Sequence, residues 1–217
     1  MQEKFVFFDL GNVLVYFDHD IAVRNVSRLM DRGPDQVKRI MFASGLQDRL
    51  ETGEITSEQF AESLIEQLVC QHPTRAVLDA ISAIFQPNLE MIDLLDQLKC
   101  ARIPMAILSN TCEPHWQWLL RQNWPVIGQR FEFFVLSYEA RSMKPDSRIY
   151  QVSEERCGRR PESIFFTDDR LDNVDAARAR GWTTHQFSSP QLLAQELGDW
   201  LGITLNVSNK EAAEPAR

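Results

Sequence analysis

Three aspartates have the spacing of a metal-dependent site. Asp9 follows the apolar run Phe5–Phe8, and the pair Asp168 and Asp169 follows the run Ile164–Thr167. Apolar runs of this kind are typical of strands buried in a parallel sheet, whose carboxyl ends meet at one edge. Three carboxylates at one edge repel each other unless a hard cation lies among them, and Mg²⁺ prefers oxygen ligands. The spacing therefore predicts a Mg²⁺ site that contains Asp9.

A second set of residues has the chemistry needed to bind a phosphate group. Ser109 and Asn110 follow a further apolar run. Lys144 stands directly before Pro145, which suits the first turn of a helix. The Ser109 hydroxyl and nearby backbone N–H groups can donate to phosphate oxygens, while Lys144 supplies positive charge. Because a carboxylate is ionised at pH 7, Asp9 needs no general base to attack phosphorus and form an acyl-phosphate that water then cleaves.

Strand and helix patterns alternate through most of the chain, which predicts an α/β fold. The apolar runs suit strands buried on both faces, and helical stretches that end at Gly158 and Gly181 separate the later runs. We therefore predict a doubly wound, Rossmann-like core built on a parallel sheet. The predicted strands are Phe5–Phe8, Pro104–Leu108, Phe131–Leu136, Ile164–Thr167 and Thr183–Phe187.

One long segment interrupts this alternation. Between about Tyr16 and Gln86 we find no convincing strand, and about 70 residues of helical pattern directly after the first strand exceed an ordinary loop. We predict an all-helical cap domain at 16–86, inserted into a core domain of 1–15 and 87–205, with a flexible polar tail at 206–217. The predicted cap helices are Asp20–Asp31, Asp35–Phe42, Ser57–Val69 and Thr74–Phe85.

The composition excludes several classes of protein. The chain has 217 residues, 44% hydrophobic and 25% charged, which is typical of a globular protein. Its net charge of −8 repels nucleic-acid backbones. No apolar run approaches the ~18–20 residues of a membrane span, and the short run near the N-terminus does not suit a signal peptide. We therefore expect a cytoplasmic protein without nucleic-acid or membrane partners, either a monomer or a homodimer.

Four motifs of this sequence resemble those of the haloacid dehalogenase (HAD) superfamily and follow one another in the same order. They extend over nearly the whole chain, and the long first interval holds the helical insertion, which resembles the first cap class of this superfamily. The segments 51–56 and 168–174 resemble the subgroup that contains bacterial sugar-phosphate phosphatases and the phosphatase domain of soluble epoxide hydrolase. The four motifs are Phe8–Leu14, Leu108–Asn110, Lys144–Pro145 and Phe166–Asp169.

The resemblance implies a Mg²⁺-dependent hydrolase with an aspartate nucleophile. Asp9 would be both the nucleophile and a Mg²⁺ ligand, and the carbonyl of Gly11 would be a second ligand. Asp169 would be the third protein ligand, whereas Asp168 would lie behind the ligands or bind the ion through water. Asn173 would tie the loop after Asp169 to its neighbours.

The same resemblance implies the phosphate-binding residues and the substrate class. Ser109 and Asn110 would hold the transferring phosphoryl group, and Lys144 would neutralise its charge. The expected substrate is a small phosphorylated metabolite, and the subgroup favours a sugar phosphate.

One position departs from the superfamily pattern. Most of its phosphatases carry a second Asp two residues after the nucleophile, which acts as general acid and then as base, but position 11 here is Gly. Such assistance is worth about 10²–10⁴-fold, so we expect slow turnover of ordinary phosphate monoesters unless a cap residue, water or the substrate replaces it. Asp18, His19 and Asp20 follow shortly in the sequence, and a position near the hinge of the cap would make them candidates for this replacement.

Three other functions fit part of this pattern. A dehalogenase of the same superfamily also lacks the second Asp, but it needs no metal and has no use for the pair Asp168 and Asp169. A phospho-acceptor receiver domain uses similar residue types in a different order and has no helical cap. A non-catalytic relative would bind Mg²⁺ and phosphate without turnover. In the cap, Arg49, Glu51 and Thr52 either face the site or lie in solvent.

Overall fold

Apolar residues occupy consecutive strand positions because helices cover both faces of the central sheet. Val6 and Phe8 pack into one apolar cluster, while Phe5 and Phe7 pack into another on the opposite face. The computed structural model describes residues 4–207. Its strands are β1 (Phe5–Phe8), β2 (Val15–Phe17), β3 (Phe85–Pro87), β4 (Met105–Ser109), β5 (Phe133–Leu136), β6 (Ile164–Asp168) and β7 (Thr183–Gln186).

The central sheet is parallel, with strand order β5-β4-β1-β6-β7. All five predicted strands are present in it, and their ends differ from the predicted ends by no more than two residues. The α/β, doubly wound prediction is therefore confirmed. Since β1 lies between β4 and β6, the residues that follow these three strands are neighbours at one edge of the sheet.

The helices cover the sheet and also build the insertion between β2 and β3. None of those described within residues 4–207 is long and apolar enough to cross a membrane. They are α1 (His19–Met30), α2 (Pro34–Lys38), α3 (Leu46–Glu51), α4 (Ser57–Gln67), α5 (Thr74–Ser82), α6 (Ile92–Cys100), α7 (Glu113–Gln122), α8 (Ser137–Ala140), α9 (Ser147–Cys157), α10 (Leu171–Ala179) and α11 (Pro190–Leu201), with shorter turns at Arg39–Ala43, Leu89–Met91, Pro125–Ile127 and Pro161–Ser163.

The prediction that residues from about 16 to 86 contain no strand is wrong. β2 pairs antiparallel with β3, with Tyr16 opposite Gln86. Each strand has three residues, too few for an alternating pattern to stand out in the sequence. The predicted domain boundaries fall within or beside this two-stranded ribbon and stay a prediction. Of the predicted tail, residues 208–217 lie outside the described residues.

Helices α1–α5, which we call the cap, enclose an apolar cluster of their own. Phe60, Leu64 and Val26 are fully buried within it. Helix α3 was not predicted, since its six residues follow Gly45 in a left-handed conformation and span less than two turns. The predicted helix Asp35–Phe42 is divided into α2 and a π-helical turn. The cap therefore folds around its own core and is tied to the sheet through the ribbon.

A half-buried carboxylate joins α9 to the turn between α10 and β7. Glu154 on α9 accepts hydrogen bonds from Arg180 at 3.0 and 2.6 Å and from Trp182 Nε1 at 2.8 Å. Burial opposes its charge, but the hydrogen bonds from Arg180 and Trp182 outweigh this effect and lower the pKa of Glu154. The ionised form therefore stabilises the fold at neutral pH.

We expect the substitution Glu154→Gln to lower the free energy of unfolding by about 1–3 kcal/mol at pH 7, because three N–H donors on Arg180 and Trp182 lose a charged acceptor. The loss should shrink as the pH falls below the usual carboxyl range, where Glu154 itself becomes protonated. Urea unfolding checks this, with the exposed Glu155→Gln as the matched control. Equal effects of the two substitutions would contradict the assignment.

Candidate active site

The three predicted aspartates lie together at the edge of the sheet. Asp9 follows β1, while Asp168 ends the adjacent strand β6 and Asp169 comes next. One carboxylate oxygen from each of them lies within 4.8 Å of the others. Asp9 and Asp168 are buried, and Asp169 is half-buried. Charges of one sign this close in a buried place require positive charge nearby.

Lys144 supplies positive charge to two of these carboxylates. Its Nζ donates to Asp9 Oδ1 at 2.6 Å, to Asp168 Oδ2 at 2.6 Å and to the carbonyl of Leu108 at 3.0 Å. The side chain of Lys144 is 1% exposed. Burial alone would discharge the ammonium, but Asp168 and Asp9 outweigh it and raise the pKa of Lys144. Lys144 is therefore held as a cation at the sheet edge.

The environment of Asp9 shifts its ionisation. The sequence analysis takes the Asp9 carboxylate to be ionised at pH 7, and burial raises its pKa to about 7. Lys144 opposes this rise, and the neighbouring Asp168 adds to it. Asp9 therefore depends on positive charge to be a full carboxylate at neutral pH. A divalent cation at this place would supply that charge.

Asp168 and Asp169 have different surroundings, although they are adjacent in sequence. Both oxygens of Asp168 accept from Asn173 Nδ2 at 3.0 Å, and Oδ1 also accepts from the backbone N–H of Arg170 at 2.9 Å. Asp169 accepts from Asn12 Nδ2 at 2.9 Å and lines the central cavity. These contacts favour Asp169 as a direct ligand and Asp168 as a partner of Lys144 and Asn173.

Ser109 ends β4 and Asn110 follows it, but the two side chains have different partners. Asn110 Nδ2 donates to the Lys144 carbonyl at 2.8 Å, and the Lys144 N–H donates to Asn110 Oδ1 at 2.7 Å. The Asn110 amide therefore positions Lys144. Ser109 is buried and lines the cavity. Thr111, the residue after Asn110, is held by Ser137, whose Oγ accepts from the N–H of Thr111 at 2.9 Å.

A cavity of about 410 Å³ separates these residues from the cap. Of the three cap residues considered from the sequence, Glu51 lines it, whereas Arg49 pairs with Glu54 and Thr52 donates to the carbonyl of Asp48. Of the remaining cap-side wall, the sequence analysis had considered His19 and none of the other residues. That wall contains Phe17, His19, Phe42, Gln47, Asp48, Ile84 and Phe85.

The donor set at the sheet edge fits a hard divalent cation. Asp9 and Asp169 both line the cavity and offer carboxylate oxygens, and Gly11 lines it beside them. Mg²⁺ is bound by oxygen ligands of this kind, usually one or two carboxylates with water completing the shell. Asp9, Asp169 and the backbone at Gly11 would hold the ion, and it would supply positive charge for Asp9 and for a phosphate.

A sequence model of haloacid dehalogenase-like hydrolases matches residues 3–181. The chain belongs to this family. A HAD family enzyme of Bacteroides thetaiotaomicron, whose crystal structure is a complex with magnesium and inorganic phosphate, has a similar fold. Its TM-score is 0.76 at 25% identity, over 85% of this chain and 94% of that one. The predicted superfamily is confirmed, and this chain is a HAD-like hydrolase.

Curated relatives include enzymes of two reaction types. The chain is 23% identical to D-ribitol-5-phosphate phosphatase of B. thetaiotaomicron, over 89% of this chain and 96% of the relative. It is 28% identical to (S)-2-haloacid dehalogenase of Pseudomonas fluorescens over 44% of this chain, and 25% identical to mouse acyl-CoA dehydrogenase family member 10 over 93% of it. The matched regions span 41% of the dehalogenase and 19% of the mouse protein.

We expect the substitution Lys144→Met to destabilise the metal-free protein by about 3–5 kcal/mol at neutral pH, because Asp9 and Asp168 lose their buried partner. Adding Asp168→Asn to this variant should recover part of the loss by removing one of the two charges. Urea unfolding in the presence of a chelator measures both, with substitution of the exposed Lys99 of α6, Lys99→Met, as the control. Failure of the second substitution to recover stability would show that charge burial is not the cause.

Proposed function

We propose that this chain is a Mg²⁺-dependent phosphatase that hydrolyses a small phosphorylated metabolite through an aspartyl-phosphate. The main observation that supports this proposal is the buried contact of Lys144 with both Asp9 and Asp168, beside a cavity that Asp169 also lines. This arrangement neutralises a reactive carboxylate while leaving it open to substrate. The relatives that hydrolyse phosphate esters support the same reaction.

In this proposal, the residues at the sheet edge have different roles in the reaction. Asp9 attacks phosphorus and the bond to the leaving oxygen breaks, which forms the aspartyl-phosphate. Lys144 stays in contact with Asp9 and neutralises charge on the transferring group, while Ser109 donates to a phosphate oxygen. Asp168 and Asn110 hold Lys144 at its two ends, through the ammonium and the backbone. Water then cleaves the aspartyl-phosphate.

The cap-side wall favours a neutral polyhydroxylated leaving group, as in a sugar phosphate. Glu51 and Asp48 are acidic, and Gln47 Nε2 donates to Glu51 Oε1 at 2.9 Å. Carboxylates accept hydrogen bonds from hydroxyl groups, and they repel a second phosphate or a carboxylate on the substrate. A relative from Methanopyrus kandleri named glyceraldehyde 3-phosphate phosphatase supports a small substrate.

Location in the cytoplasm, and the choice between monomer and homodimer, stay predictions.

Dehalogenation is the second candidate, because part of the chain resembles a haloacid dehalogenase. That reaction also uses a strand-end aspartate but needs no metal. Asp169, which Asn12 holds at the cavity, has no task in it. A halide-release assay with chelator present separates the two candidates.

We expect the substitution Asp9→Asn to reduce phosphate release to background, because an amide is too weak a nucleophile to form the phosphorylated intermediate. The measurement is free phosphate from a panel of phosphorylated metabolites, with and without Mg²⁺. The exposed Asp199→Asn is the control and should keep wild-type rates. Near-native activity of Asp9→Asn would exclude the covalent mechanism.

We expect the substitution Asp169→Ala to raise the Mg²⁺ concentration needed for half-maximal activity at least about 10-fold, since a direct ligand is lost. Metal titration of activity and calorimetry of Mg²⁺ binding measure this independently. The surface variant Asp175→Ala should bind the ion as the wild type does. Unchanged Mg²⁺ affinity in Asp169→Ala would remove this residue from the ion's ligands.

A further inference from the structure

Cleavage of the aspartyl-phosphate needs a proton acceptor for the attacking water. Displacement at phosphorus is in line, so the water approaches from the side opposite Asp9, which is the cap side of the cavity. Residue 11 cannot supply the acceptor, because it is Gly and the ring of Phe17 occupies the place that a side chain would need. A Cβ at Gly11 would lie 2.7 Å from Cε1 of Phe17. The acceptor must therefore come from another cavity-lining residue.

Of the three titratable residues that follow Phe17, His19 is the one that lines the cavity. Asp18 accepts from the N–H of Asp20 at 2.8 Å as the N-cap of α1, and it pairs with Arg24 at 3.5 Å. Asp20 pairs with Lys38 at 3.0 Å on the outer surface. Both aspartates are about half exposed and are occupied away from the cavity.

Two aromatic rings hold the His19 imidazole in the cavity wall, and one of them occupies the place that a side chain at residue 11 would need. Its centroid lies 5.0 Å from that of Phe17 and 5.2 Å from that of Phe42, both edge to face. Phe17 is the same ring that covers Gly11. His19 is therefore placed by the residue that excludes a side chain at position 11.

Burial of the His19 imidazole favours its neutral form over the imidazolium. Burial lowers the pKa of His19, and Asp18 and Asp20 offset this only in part. His115, from α7, lines the same cavity. Its Nε2–H donates to the carbonyl of Ile81 at 3.2 Å, and burial lowers its pKa to about 3. A neutral imidazole is the form that accepts a proton from water.

Glu51 is the main competitor among the cap-side acids. Its Oε1 accepts from Gln47 Nε2 at 2.9 Å, and both residues belong to α3. Burial raises the pKa of Glu51. Its place in the wall suits contact with the leaving group, as proposed above.

We propose that His19 is the general base for hydrolysis of the aspartyl-phosphate, an inference that rests on the proposed function. The imidazole takes a proton from water as the water oxygen bonds to phosphorus. The bond between phosphorus and Asp9 Oδ breaks, which yields inorganic phosphate and the Asp9 carboxylate. The imidazolium then gives its proton to the departing phosphate or to solvent.

The test uses p-nitrophenyl phosphate, whose leaving group needs no proton. We expect His19→Asn to release one equivalent of nitrophenol rapidly and then to turn over at least about 10²-fold more slowly than the wild type. Acid quench and mass spectrometry should find phosphate accumulated on Asp9. A rapid first turnover also shows that the variant is folded. His72→Asn, outside the cavity, is the control, and added imidazole should accelerate turnover of His19→Ala.

Three results would overturn the role of His19. The first is steady turnover of His19→Asn at the wild-type rate. The second is slow turnover without phosphate on Asp9, which would mean that the first step is impaired. The third is accumulation of the phosphorylated enzyme in Glu51→Gln and not in His19→Asn. If the wild type releases no phosphate from p-nitrophenyl phosphate or from any phosphorylated metabolite of the panel, the proposed function is wrong and the role of His19 falls with it.

Discussion

The contact of one buried ammonium with two buried carboxylates governs the chemistry of this protein. Lys144 neutralises Asp9 and Asp168 at the edge of the sheet, where burial otherwise drives Asp9 toward its protonated form. Two amide side chains hold this arrangement in place. Asn110 accepts from the backbone N–H of Lys144, and Asn173 donates to the carboxylate of Asp168. The site is therefore an electrostatic unit in which removal of Lys144 would leave two carboxylates to bear the cost of burial.

The core and the cap of this hydrolase form opposite sides of the cavity and contribute different groups to it. The core supplies the acidic edge and the groups suited to phosphate, while the cap has its own apolar cluster and forms the opposite wall of the cavity. The β2–β3 ribbon joins the two parts. Phe17, at the end of β2, fills the space above Gly11 and contacts His19. Thus the connection to the cap also decides which side chains can reach the reacting group.

Much of the core could be predicted from the sequence, because its signals are local. A run such as Phe5–Phe8 is apolar at every position, and only a strand covered on both faces buries it completely. Parallel strands place their carboxyl ends at one edge, so residues after β1, β4 and β6 were expected to meet there, and Asp9, Ser109 and Asp169 line one cavity. The helical insertion was equally evident from its length.

The sequence by itself thus determined the sheet, the helical insertion and the set of residues at the acidic edge. Only the tertiary structure distinguished Asp168, enclosed by Lys144 and Asn173, from Asp169, which lines the cavity. It also decided that the Asn110 amide binds the backbone of Lys144 and that burial raises the pKa of Asp9. These properties depend on distances between segments far apart in the chain and on how completely water is excluded, and neither quantity is encoded in local sequence pattern.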